Sequence, residues 1–133
     1  MNLEFYKDFV LDDVYKRLEL SETKSHDYAS DEDTLINFKN VSKILEGMGF
    51  NVKPTEVCLV LIAVKLGRIG NLLKKGTPKN ESLEDSIRDL KNYIDLFHAL
   101  LYEETQEKGY DIPRTVVKFD NTGGVTFEET SQT

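Results

Sequence analysis

Two cations and two carboxylates fall at spacings that could hold a charged ligand. Val57, Leu61, Val64 and Arg68 follow one another at four, three and four residues, so Arg68 continues an apolar helix face and Lys65 lies beside it. A buried cation costs several kcal/mol unless it is paired, so Arg68 must reach a carboxylate, a ligand phosphate, or solvent at the helix end. Asp85 and Asp89 are four residues apart and share a face of the following helix. Two carboxylates so placed can share a hard cation such as Mg²⁺ if a helix or a second subunit covers that side; uncovered, they are a solvated acidic face.

Other polar residues are candidates on position alone. Asp27 and Tyr28 sit with Lys24 and His26 in KSHDYASDED, a stretch whose composition also suits a plain solvated cap. Asn37 stands between Ile36 and Phe38 in an apolar run. It either caps locally or reads a base or sugar. His98 borders an apolar stripe and reads as a packing residue. The single cysteine, Cys58, lies in EVCLVLIAVKL and reads as a small buried hydrophobe rather than a nucleophile. The sequence has no Walker loop, Rossmann glycine pattern, HExxH pair or Ser-His-Asp arrangement.

Helices must position these residues. Leu3, Phe5, Tyr6, Phe9, Val10, Val14 and Leu18 predict a first amphipathic helix over about 3–18. The polar stretch SETKSHDYASDED predicts a loop, with Asp33 or Thr34 capping the next helix. That second helix spans about Leu35 to Met48, with Gly47 and Gly49 as its stop. Pro54 opens a third helix that is apolar on almost every side between Val57 and Leu73, as expected of a central helix. A fourth, capped by Asn80 or Ser82, spans about Leu83 to Glu104. Its stripe, Leu83, Ile87, Leu90, Ile94, Phe97 and Leu101, has the spacing of a heptad seam. After Gly109, VVKFD and VTFEE flank NTGG and predict a short β-hairpin or an extended arm. The expected fold is all-α, a four-helix bundle-like core over 1–108 followed by a hairpin or arm and tail over 109–133.

Composition narrows the function classes. A chain of 133 residues, 39% hydrophobic and 31% charged, suits one globular domain. The net charge of −7 argues against a duplex nucleic-acid binder, whose affinity comes from clustered Lys and Arg, but leaves room for a single nucleotide. One cysteine permits no intrachain disulfide. No run approaches the ~18 apolar residues of a membrane span, and the N-terminus lacks the basic start and apolar middle of a signal peptide. A cytoplasmic protein is expected.

In chain order these residues read Lys24-x-x-Asp27-Tyr28, Asn37-Phe38, Lys65-x-x-Arg68, then Asp85-Ser86-x-x-Asp89-x-x-x-Tyr93. This composite resembles a group of small phage and prophage proteins, and more distantly the MazG-like all-α nucleoside triphosphate pyrophosphohydrolases. The resemblance runs from about Lys24 to Leu101. It implies a dimer or tetramer of helical bundles that holds Mg²⁺ beside a (deoxy)nucleotide. On it, Asp85 and Asp89 match the metal positions and Lys65 and Arg68 the phosphate-binding ones. Tyr28, Asn37 and Tyr93 match nucleotide-binding positions, and the metal or Asp27 activates the attacking water. Ala29 stands where the group carries glycine, and the second helix offers only Glu46 in place of an E-x-x-E pair. A non-catalytic module that binds a nucleotide or a host protein is the other expectation.

Overall fold

The computed structural model describes residues 1–28, 33–76, 83–109, 114–119 and 125–130. They form four helices and a hairpin: α1 (Leu3–Tyr28), α2 (Ile36–Gly47), α3 (Pro54–Lys75), α4 (Leu83–Glu107), β1 (Arg114–Phe119) and β2 (Val125–Thr130). The all-α, bundle-like architecture is as expected. Two compact units divide the chain, Met1–Phe97 and His98–Thr133, so the boundary falls within α4.

Local chemistry sets the ends of the helices. The Asn2 side chain accepts the Phe5 N–H at 2.9 Å and its carbonyl accepts the Tyr6 N–H at 3.0 Å, which starts α1. α1 then continues to Tyr28 rather than stopping near Leu18. The polar stretch after Leu20 contains no Gly or Pro before Tyr28, and polarity by itself does not break a helix. Asp33 accepts the Leu35 N–H at 3.0 Å and the Lys39 ammonium at 2.7 Å in the turn ahead of α2, but the N-cap position itself is Leu35, without a side-chain cap bond, rather than the expected Asp33 or Thr34.

α2 ends in a Schellman motif. The Gly49 N–H bonds to the Glu46 carbonyl at 3.0 Å and the Phe50 N–H to the Leu45 carbonyl at 2.9 Å. Gly49 takes a φ of 93°, a left-handed conformation that glycine adopts without Cβ strain. The Ser42 hydroxyl then donates to the Val52 carbonyl, which ties α2 to the segment leading into α3. Pro54 opens α3, and Glu56 reaches back to accept the Lys53 N–H at 3.1 Å. Lysine has no acceptor to return the bond, so only this half of a capping box forms.

In the first unit α2 packs on α3, and Leu35, Phe38, Val57 and Cys58 are its buried apolar side chains. α3 is less enclosed than its composition predicts. Leu59, Val60, Val64, Leu66 and Leu73 are all about half exposed or more, so its apolar faces outnumber the neighbours this chain supplies. The α4 seam is similarly open, with Ile87, Ile94 and Leu101 each more than a third exposed.

In the second unit, Gly109 closes α4 by donating its N–H to the Gln106 carbonyl at 3.0 Å, and Leu100 is buried. β1 and β2 pair antiparallel from Arg114↔Thr130 to Phe119↔Val125. The hairpin is as expected, while its NTGG connection lies outside the described residues. So do Ala29 and the α4 cap candidates Asn80 and Ser82. No helix among the described residues is long and apolar enough to cross a membrane.

Candidate functional site

α4 is held between α3 and α1 by polar contacts on two of its faces. Toward α3, the Cys58 thiol donates to the Tyr93 carbonyl at 3.3 Å, and Lys65 Nζ lies 3.0 Å from Asp89 Oδ2. Moving from Cys58 to Lys65 advances along α3 while the α4 partners step back from Tyr93 to Asp89, so the two helices are antiparallel. Arg68, one turn beyond Lys65, and Asp85, one turn before Asp89, therefore belong to the next level of the same pairing.

One member of each central pair of the composite, Lys65 and Asp89, thus meets the other at the α3–α4 junction. The Lys65 and Asp89 side chains are mostly buried, at 20% and 30% exposure, and neutralise each other. Asp89 is accordingly an ion-pair partner rather than part of a solvated acidic face. Asp85 and Arg68 are exposed. Between the two aspartates lies Ser86, fully enclosed, whose hydroxyl has no hydrogen-bond partner among the described residues. A buried hydroxyl without a partner costs roughly 1–3 kcal/mol, so Ser86 is an unusual choice for this contact.

The remaining sequence candidates are not gathered around this pair by any described contact. Asn37 is exposed near the start of α2, His98 is exposed on α4, and Tyr93 is half-buried with its carbonyl taken by Cys58. Asp27 and Tyr28 occupy the last turn of α1, and their side chains lie outside what the structure describes. Cys58 is fully enclosed, and burial pushes its thiol up, away from the thiolate a nucleophile needs.

The opposite face of α4 carries a cluster that the sequence reading did not single out. Asp13, buried on α1, accepts Arg17 Nε at 2.9 Å, Arg88 Nε at 3.2 Å and Lys91 Nζ at 3.1 Å. Arg17, equally buried, extends to Asp95 at 2.5 Å and Asn92 at 3.3 Å. Burial alone would raise the Asp13 pKa. Hydrogen bonds from Lys91, Arg17 and Arg88 outweigh it and hold the carboxyl below its ordinary value. For Arg17, burial is likewise outweighed by the hydrogen bonds to Asp95 and Asp13, which keep it charged. The signal was present in the sequence: Asp13 and Arg17 are one turn apart, and Arg88, Lys91, Asn92 and Asp95 recur at helical spacing. With every carboxylate answered by a cation, this cluster orders two helices rather than presenting a free charge.

Among the described residues, no group of three or more His, Cys, Asp or Glu stands where it could hold a metal ion. The donor set at the junction is therefore Asp85 with Asp89. Mg²⁺ bound with a nucleotide commonly uses one or two carboxylates and draws its other oxygens from phosphates and water, so this pair fits that mode and does not make a protein-only cage. Comparison with protein-family models, curated proteins and solved structures returns no match. The likeness to the phage group and to MazG-like enzymes accordingly rests on the ordered residues themselves.

Proposed function

We propose that this chain binds a (deoxy)nucleoside triphosphate with Mg²⁺ at the α3–α4 junction and acts on it as a pyrophosphohydrolase. The observation that carries this reading is the Lys65–Asp89 pair, with Arg68 and Asp85 one turn further along the same antiparallel contact. A triphosphate approaching Lys65 and Arg68 gives the ammonium a new anionic partner and releases Asp89 to join Asp85. The ion pair is exchanged rather than broken, so no charge is left unanswered. Mg²⁺ held by the two aspartates would neutralise charge on the phosphates. Lys65 and Arg68 hold the phosphate oxygens, Arg68 through its planar guanidinium. Asn37, Tyr28 and Tyr93 are assigned to the nucleoside on the resemblance, as Asp27 is to the attacking water. α1 runs parallel to α4, however, which sets Asp27 several turns past the level of Asp89, so within one chain bound Mg²⁺ would activate that water and its proton would pass to solvent. Water adds to the α-phosphorus and the bond to the β-phosphate oxygen breaks, which gives the nucleoside monophosphate and pyrophosphate.

A second reading, a non-catalytic module that binds a nucleotide or a host protein, is favoured by the two-carboxylate donor set, half of what a MazG-like site uses. Arg68→Ala and Asp85→Ala separate the readings. The hydrolytic reading requires Asp85→Ala to abolish pyrophosphate release and Arg68→Ala to weaken nucleotide binding. A protein that loses binding with Arg68→Ala but never releases pyrophosphate is a binder. If neither substitution alters binding or turnover, the junction is purely structural.

A further inference from the structure

The first turns of α1 make no use of their apolar residues within this chain. Every residue from Met1 to Asp12 is exposed, polar and apolar alike, and Phe5, Tyr6 and Phe9 each keep more than half of their surface in solvent. The helix nevertheless has a definite start, with Asn2 capping its first turn. The contact with α4 explains why this segment stands clear. Asp13 and Arg17 meet residues 75 to 78 positions later: Arg88 and Lys91, then Asn92 and Asp95. That constant offset means α1 and α4 run parallel. α4 begins at Leu83, so residues before about Lys7 have no α4 residue at the matching level. Tyr6 and Val10 extend the Asp13–Arg17 face at the same four- and three-residue spacing, toward and past the start of α4. The face that binds α4 is thus carried on as an apolar arm.

We infer that this arm, Leu3–Asp12, docks on the exposed face of α3 of a second copy of the same chain, in a reciprocal two-fold exchange. Three features select that occupant. First, the receptor is on the same molecule: Leu59, Val60, Val64, Leu66 and Leu73 of α3 are exposed and apolar. Second, the charges are complementary. The arm carries Glu4 and Asp8 against Lys7, with Asp12 answered by Lys16, whereas Lys74 and Lys75 lie exposed at the end of α3. Third, the area suffices. At roughly 100 Å² for each half-exposed large apolar side chain, arm and receptor together offer about 1,000 Å² per chain. The largest apolar patch of a typical monomer is ~300–600 Å², and a standard interface takes about 800 Å² from each partner. The two-fold arrangement buries arm and receptor of both copies at once. Gly67 and Gly70 suit this role: an added Cβ would meet nothing within 4 Å in this chain, and each lets another helix approach closely.

The test is the mass of the full chain in solution by light scattering or sedimentation, with variants on either surface. The native protein should have twice the 15.2 kDa of one chain. Phe5→Glu with Phe9→Glu should halve that mass while circular dichroism keeps its helical signal, because neither side chain packs inside the chain. Val60→Glu with Val64→Glu should do the same from the receptor side. A native protein of monomer mass overturns the inference. So does a dimer that survives the Phe5/Phe9 substitutions, or one lost only on Ile87→Glu and Ile94→Glu at the α4 seam.

Discussion

Asp13 and Arg17 stand one turn apart on α1, joined at 2.9 Å, and between them reach four α4 residues: Arg88, Lys91, Asn92 and Asp95. The register of α1 on α4 is therefore set by charge, with the apolar face of α1 continuing N-terminally from it. Apolar contacts are non-directional and tolerate sliding, whereas a carboxylate answered by three cations does not.

Removing the carboxylate should be costly. Asp13→Ala leaves Arg17 buried with one of its two carboxylate partners and Arg88 and Lys91 facing a gap. Fully buried pairs lose about 3–5 kcal/mol when broken; here roughly 2–3 kcal/mol is expected, because solvent reaches part of the Arg88 and Lys91 side chains. Chemical denaturation measures it. Lys16→Ala is the control, since its bond to Asp12 is exposed on both sides and is worth at most about 1 kcal/mol. Equal losses for the two variants would contradict a special role for Asp13.

Stability should decline on acidification through the same residue. The folded Asp13 carboxyl lies below its ordinary value, as does that of Asp33, held down by its bonds to Lys39 and the Leu35 N–H. A depressed folded pKa contributes stability above the unfolded value, near 3.8, and loses it as pH falls through the folded one. The melting temperature should thus be flat from neutral pH to about 5 and fall steeply below about 4. The Asp13→Ala protein should show a shallower fall. An identical acid profile for variant and native protein would mean that other carboxyl groups govern the transition.

Gly49 offers a test confined to the backbone. Its φ of 93° is strained for any residue with a Cβ, although open space surrounds the position. Gly49→Ala should therefore destabilise by about 1–2 kcal/mol without any clash, while Gly47→Ala, at an unstrained helical position, should stabilise by roughly 0.5–1 kcal/mol. A neutral Gly49→Ala would show that the turn between α2 and α3 adapts.

Much of this architecture was legible in the residues. Gly49 as a stop and Pro54 as a start are local signals whose chemistry acts within a turn, and each is where the sequence placed it, whereas the α2 N-cap falls at Leu35, two residues past Asp33. The α1 terminus was not legible, because Ser21–Tyr28 is polar without being helix-breaking. At the candidate site, the spacing of Lys65 with Arg68 and of Asp85 with Asp89 announced charged faces, and only the antiparallel pairing of α3 with α4 brought Lys65 to Asp89. The Asp13 cluster escaped notice for a related reason. Its i,i+4 pair looks like any surface pair until Arg88 and Lys91 arrive from 75 and 78 residues away. The apolar excess of α3 suggested a central helix. It marks instead faces that this chain leaves open.

The measurement closest to the central claim is the melting shift of the native protein with ribo- and deoxyribonucleoside triphosphates, with and without Mg²⁺, assayed in the same samples for released pyrophosphate. At a ligand concentration near 100 times the dissociation constant, binding adds about 2.7 kcal/mol of stability. The prediction is a Mg²⁺-dependent rise in melting temperature for one class of triphosphate, accompanied by pyrophosphate release and lost in Arg68→Ala and Asp85→Ala. No shift with any triphosphate at millimolar concentration, with or without Mg²⁺, would contradict it.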